Sequence, residues 1–444
     1  MAGPRTAYEL SESQVTTPER VVKLFWDLTK QHRKQLKSVL DLGAGDCRFG
    51  VGGNFTKYTG VEIDKRRIAN AKVPRNGEIV HGCVFRHQAG EYDACIGNPP
   101  YARHHDIETS WKDRTVVRLE RELSVSLNKH CNLYIYFFCL ALLKAREDGL
   151  VALVIPYEWV SRPSAKALRD YIREQRWNVS VYRFQKPIFE GVMTTASVSI
   201  VDKARQDGLW AYHDITAERA VVNRPGVTDS KNGVLEYAKR GQVWGLRGLS
   251  PGSQKIFTLT EGERVRAGLR RRTDVVPCVT SLKNVPRALE LLSSAAFEKN
   301  FVESGDRCWL IRSDKHQRSD ALESYLKAIP EEERSTYTCE NQTPWFNYKA
   351  HPVPQILFSS GFTEFGPKVL INSVSARAIG SVWGIHSRRK LPLRRLQTYL
   401  LSINFERRVV AHAEKLKKVE VRQLNAVLNT FEKRERKNAR KSAR

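Results

Sequence analysis

Three short segments hold side chains whose types and spacing can do chemistry. Asp41-Leu42-Gly43-Ala44-Gly45-Asp46 closes an apolar run, and its two glycines allow a tight turn and close approach of a ligand to the backbone. Gly60-Val61-Glu62-Ile63-Asp64 places an acid at the end of a second apolar run. A carboxylate there can hold both hydroxyls of a ribose. Its plain alternative is a solvated strand-end acid, which the neighbouring glycine turn makes less favoured. No Lys-Ser/Thr pair follows the glycines, so a triphosphate is not expected, and acids beside the turn suit a cationic ligand better than a pyrophosphate. The third segment is Asp93-Ala94-Cys95-Ile96-Gly97-Asn98-Pro99-Pro100-Tyr101. Two prolines stiffen the chain after Asn98, and Pro99 offers a carbonyl without an N–H. The Asn98 side-chain oxygen and the Pro99 carbonyl can then bind one amino group and align its lone pair. Tyr101 offers a flat face to a planar base.

These residues need strands that end on a common edge, and the sequence supplies them. Thr17-Pro18 opens an amphipathic helix, with Thr17 as its expected cap. SVLDL, YTGVEID, EIVHG and YDACIGN read as strands, and residues 131–147 as a buried helix. GLVALVIP, VSVYRF and TTASVSIVDK are further strands, with SAKALRDYIREQ a helix between the first two. The alternation predicts an α/β, doubly wound Rossmann-like sheet. Arg48-Phe49-Gly50-Val51-Gly52-Gly53 is a poor helix former, so the helix after the glycine turn is expected to be short or absent. Residues 204–235 are rich in turn formers and read as a linker or excursion. PRALELLSSAAF and LRRLQTYLLSI predict helices, and KIFTLT, CWLIR, PQILFSS and KVLINSVSA strands, of a separate mixed α/β domain. The division expected is 1–225, 226–430 and a frayed basic tail over 431–444.

The charge agrees with a polyanionic partner. The 444 residues carry 74 Lys and Arg against 48 Asp and Glu, a net charge of +26. Residues 351–444 alone hold 20 basic and 6 acidic side chains, so phosphate contact is expected in the second half. None of the eight cysteines forms a C-x-x-C pair and no Cys/His group has zinc spacing, so no metal is expected, and the thiols suit a reducing cytoplasm. The apolar run Leu133–Leu143 is too short to span a bilayer and the N-terminal residues lack a hydrophobic leader, so neither membrane nor secretion is expected.

Over residues 14–202, VTTPERVV, DLGAGD, GVEID, NPPY, NLYIYFFCLALLKAREDGLVALVIPYEW and PIFEGVMTTASVSIV occur in an order that resembles the gamma group of S-adenosylmethionine-dependent DNA adenine-N6 methyltransferases of bacterial restriction–modification systems. The C-terminal half is similar to that family's target-recognition domain in position, size and charge. The resemblance implies that S-adenosyl-L-methionine is the cofactor, and that Thr17, Asp41, Gly43 and Gly45 form its site with Glu62 on the ribose. It implies that Asn98 and Pro99 accept from an adenine amino group, that Asn98 borders the cofactor, and that Tyr101 and Phe189 stack on a base flipped out of double-stranded DNA. A monomer on DNA is implied, with any cognate endonuclease a separate chain. One departure stands out: the family's acid after strand three, which bonds the cofactor's adenine amino group, is replaced by Cys83. Competing readings are a methyltransferase of RNA adenine or guanine, a protein glutamine-N5 methyltransferase, and a DNA-binding protein without turnover.

Overall fold

The computed structural model describes residues 15–442 except 89, 105, 190–194, 217–220, 229–236, 364 and 410–415. The chain divides into two compact units, one of residues 1–234 with 410–414 and one of residues 235–409 with 415–444.

The first unit is built on one sheet. Its elements in chain order are α1 (Glu19–His32), β1 (Leu36–Leu42), β2 (Phe55–Glu62), α2 (Lys65–Ala69), β3 (Gly77–His81), β4 (Tyr92–Gly97), α3 (Thr109–Leu123), α4 (Leu133–Lys144), β5 (Ala145–Pro156), α5 (Lys166–Glu174), β6 (Asn178–Phe184), β7 (Ala196–Asp202), β8 (Trp210–Ile215) and β9 (Val221–Thr228). The nine strands lie in the order β3-β2-β1-β4-β5-β7-β6-β8-β9. Strands β1 to β5 run parallel to one another, and β7 runs antiparallel between β5 and β6. Because β1 pairs with both β2 and β4, the strand order reverses there, and a doubly wound sheet opens its crevice at the carboxyl ends of such strands.

Burial on both faces explains the apolar strands. Leu40 and Leu42 face a core shared with α3, α4 and α5, while Val39 faces the core that α1 covers with Val21, Phe25 and Leu28. Helix α4 is apolar all round and buried from Leu133 to Leu142. Its carboxyl end is fastened by the buried Lys203, whose Nζ donates to the carbonyls of Leu142 at 3.2 Å and Ala145 at 2.6 Å. That satisfies carbonyls which a helix end otherwise leaves unpaired.

Several expectations need correction. Residues 204–235 are not a plain linker, since β8 and β9 extend the sheet through them, and β9 spans the boundary expected at 225/226. Thr17 does not cap α1; Pro18 stands at the cap with no side-chain bond. The glycine-rich segment after the turn is, as its composition implies, only a 3-10 turn, Arg48–Gly50.

The second unit holds a five-stranded sheet in the order Val243–Leu246, Val382–Ser387, Ile356–Ser359, Val369–Asn372, Leu291–Leu292. A four-stranded sheet joins Thr258–Leu259, Trp309–Ile311, Val275–Val279 and Arg377–Ala378. The helix expected over PRALELLSSAAF is instead a short strand, Leu291–Leu292, followed by one helical turn, Ser294–Phe297. Ser293 divides them, its side chain accepting from the Ala296 N–H at 3.2 Å. Nor is the tail frayed over its described residues. Residues 421–442 form one helix that buries Leu424, Val427, Leu428 and Phe431. Its Asn425 accepts from the Gly245 N–H at 2.8 Å. Among the described residues, no helix is long and apolar enough to cross a membrane.

Candidate active site

The carboxyl ends of β1, β2, β3 and β4 carry the glycine turn, Glu62, Cys83 and Asn98 side by side. A cavity lies over them. Gly43, Glu62, Cys83 and Asn98 line it, together with residues that spacing alone does not reveal: Val15, Ile63, Arg67, Val84, Phe85 and Pro100 among them. Aromatic rings close one end. Phe85 packs edge-to-face on Trp111 at 5.1 Å and on Phe137 at 5.0 Å.

Gly43 and Gly45 have φ of +78° and +58°, a region that disfavours side chains, and a Cβ on Gly45 would stand 3.2 Å from the Arg67 guanidinium. Glu62 is buried, at 2% exposure, and is a clamp as well as a lining residue. Its Oε2 accepts from the Gly45 N–H at 2.8 Å, and its Oε1 from Ile63 at 2.8 Å and Asp64 at 2.9 Å. A carboxylate has about four acceptor positions. Three are taken by the backbone here, which leaves room for a ligand hydroxyl and fixes the turn to the end of β2.

Asn98 is fixed in one orientation. Its Nδ2 donates to the Val15 carbonyl at 3.1 Å and to Thr17 Oγ1 at 3.0 Å. Its Oδ1 is buried and has no partner among the described residues. Thr17 thus holds Asn98 in place and is not among the residues that line the cavity. Pro99 is buried at the same turn. Tyr101 is anchored by its hydroxyl, which donates to the Val154 carbonyl at 3.0 Å. Its ring meets Phe189 edge-to-face, at 6.2 Å and 74°, so the two rings pack on each other in this structure. Residues 190–194, part of the motif that includes Phe189, lie outside the described residues.

Asp41 departs from its expected role: it lies behind the turn, fully buried, and is not a lining residue. Its Oδ2 accepts from the Tyr58 hydroxyl at 2.6 Å, and its Oδ1 has no partner among the described residues. Gly97, at φ +136°, makes room for it, since a Cβ there would come within 2.8 Å of Oδ1. Burial pushes the Asp41 carboxyl up to about 7; the Tyr58 bond opposes this, and the carboxylates of Glu62 and Asp46 add to it. The folded protein therefore holds this proton more tightly than the unfolded chain. The stability it contributes is complete below the ordinary value of 3.8 and is lost as pH rises through about 7. Asp41→Asn removes that titration. The melting temperature of the wild type minus that of the variant should fall between pH 5 and 8 and then level, and a difference that is flat or rising would refute the assignment.

The strand order defines a doubly wound, Rossmann-like methyltransferase fold. The sequence comparisons then give the family. Residues 52–189 match the Eco57I restriction-modification methylase, and residues 246–405 match the C-terminal domain of Type II methyltransferase M.Eco57I. The two matched segments together cover more than half of the chain, which belongs to the Eco57I-like family of type II restriction-modification methylases. The chain is 20% identical over 387 residues to the Type II methyltransferase M.AccI of Acinetobacter calcoaceticus, covering 77% of this chain and 70% of that one. It is 23% identical over 326 residues to M.XamI of Xanthomonas campestris pv. amaranthicola, covering 67% of this chain and 59% of the relative. The solved structure of the Type IIL restriction-modification enzyme MmeI in complex with DNA has a TM-score of 0.54 at 11% identity, covering 91% of this chain and 63% of that one, a likeness of fold.

Proposed function

We propose that this protein transfers a methyl group from S-adenosylmethionine to the N6 amino group of adenine in duplex DNA, as a gamma-group modification enzyme. The observation that carries the reading is Asn98 Oδ1: a buried acceptor without a partner among the described residues, on a side chain whose other end is held by two bonds. A buried unmet acceptor is costly, and an incoming amino group relieves it.

The cavity suits the cofactor. Glu62 keeps an acceptor position for the ribose, the turn at Gly43 allows close approach of the methionine end, and Val84, Phe85 and Phe137 offer an apolar bed for a purine. When bound, S-adenosylmethionine supplies a sulfonium methyl, already a strong electrophile. The protein's own task is positioning. Asn98 Oδ1 and the Pro99 carbonyl accept the two amino hydrogens of adenine, which draws the nitrogen lone pair out of the ring's π-system and turns it toward the methyl. The proton leaves after transfer, so no covalent nucleophile is used. The base reaches this site by flipping out of the duplex, at a cost of a few kcal/mol. Tyr101 and Phe189 offset that cost by stacking, once their mutual edge-to-face contact opens to admit the base. The basic second unit binds the DNA through phosphates, the enzyme acts as a monomer, and any cognate endonuclease is a separate chain.

Expression in a methylation-deficient host, followed by single-molecule sequencing, should reveal modified adenines in one sequence context. The purified protein should transfer tritiated methyl to duplex DNA and not to RNA or protein. Transfer to RNA or to a glutamine side chain instead would replace this reading.

A further inference from the structure

The resemblance implies an acid after β3 for the cofactor's adenine amino group, and Cys83 stands there instead. The structure places a second carboxylate on the same cavity. Among the described lining residues the carboxylates are Glu62 and Glu108. Three of Glu62's acceptor positions go to backbone N–H groups at the ribose end. Glu108 reaches the cavity from the segment after the catalytic motif, in company with Ile107 and Trp111. It stands at the N-cap of α3, yet its side chain makes no capping bond. Its Oε1 accepts from the Ser110 hydroxyl, which leaves other acceptor positions open.

The order of strands says which part of a nucleoside comes near it. The glycine turn is at the end of β1 and the ribose acid at the end of β2. The next strand outward is β3, so the base lies over Cys83, Val84 and Phe85. Trp111, one helical turn on from Glu108, packs on Phe85 at 5.1 Å. Glu108 is therefore at the base end of the cavity, where a thiol is a poor acceptor for an amino group and a carboxylate a strong one.

We propose that Glu108 supplies, from the segment after the catalytic motif, the carboxylate that the Cys83 position lacks, and so reads the adenine amino group of the cofactor. This rests on the cavity being the S-adenosylmethionine site. It makes the adenine contact a property of residues 107–111, so that cofactor binding and the placement of that segment stabilise each other.

The test is calorimetric and needs no turnover. S-adenosylhomocysteine is compared with S-inosylhomocysteine, in which an oxo group replaces the amino group. The wild type should prefer the adenosyl form by roughly 10- to 100-fold, as a hydrogen bond to a charged group implies. Glu108→Ala should bind both alike, and Glu108→Gln should lose most of the preference, because an amide can also donate to the oxo group. Glu108 is exposed, so melting of the ligand-free variants should match the wild type. Cys83→Asp in the Glu108→Ala background should restore the preference by returning an acid to the strand end. Retention of the wild-type preference in Glu108→Ala overturns this proposal alone. Failure of the wild type to bind either compound overturns the cofactor reading and takes the proposal with it.

Discussion

Replacing Asn98 by Ala should leave cofactor and DNA binding nearly intact while methyl transfer falls by two orders of magnitude or more. The contact it removes strengthens as the adenine nitrogen turns out of plane and gains charge, so it stabilises the transition state more than the bound ground state. Losing one such preorganised contact costs about 3 kcal/mol or more, roughly 100-fold or more in rate. The surroundings of Asn98 sharpen the expectation for its acid isostere. Nδ2 donates to the Val15 carbonyl and to Thr17 Oγ1. In Asn98→Asp the Thr17 hydroxyl can donate to the new oxygen, but the Val15 carbonyl cannot, and two acceptors then face each other. Asn98→Asp should accordingly fall between wild type and Asn98→Ala, because it still offers an acceptor but loses its fixed orientation. A 2-aminopurine at the target position should fluoresce strongly on Asn98→Ala, showing that flipping survives. Tyr101→Ala and Phe189→Ala should change that signal, since they remove the stacking surface. Single-turnover transfer by Asn98→Ala at near the wild-type rate would sink the proposed mechanism.

What the sequence disclosed and what it hid divide along physical lines. The parallel strands were legible because burial on both faces makes them continuous apolar runs, as in GLVALVIP, and because Gly43, Gly45 and Pro99 mark their ends. Glu62, Asn98 and Cys83 were legible because strand-end chemistry is tied to a fixed place in each βα unit. Strands β8 and β9 were hidden by turn formers around them, and β8, on which β9 pairs, depends on a long-range partner, β6, that no local pattern announces. Thr17 reads locally as a helix cap, yet its hydroxyl oxygen accepts from a tertiary partner, Asn98. Asp41 sits in the expected motif, but only the fold shows that its side chain goes behind the turn to Tyr58. Glu108 carries no motif at all. Its place on the cavity follows from how α3 packs, through Trp111, on Phe85.

Glu62→Ala should injure the protein twice, and the two effects can be measured apart. The first is loss of the ribose contact. A hydrogen bond from a ligand hydroxyl to a charged group is worth about 1.5–3 kcal/mol, so removing it should weaken cofactor binding by roughly 10- to 100-fold by calorimetry. The second needs no ligand. The carboxylate gathers the N–H groups of Gly45, Ile63 and Asp64 and so ties the glycine turn of β1 to the end of β2. Without it those donors either stay unpaired or take water from the cavity, and the turn loses its tether. A net loss of about 2 kcal/mol, after water recovers part of the bonding, would lower the melting temperature of the ligand-free protein by about 4–8 °C if the first unit unfolds cooperatively. Loosening the turn also exacts an ordering cost on binding, so the affinity loss should reach the upper end of its range. Glu62→Gln separates the two roles. Its amide oxygen can still accept from Ile63 and Asp64, but its NH2 group would face the Gly45 N–H, donor against donor. Stability should then be partly kept while the Gly45 tether is lost. A ligand-free Glu62→Ala protein that melts with the wild type would show that the three backbone bonds carry no net stability. Unchanged cofactor affinity in the same variant would remove Glu62 from the ribose site.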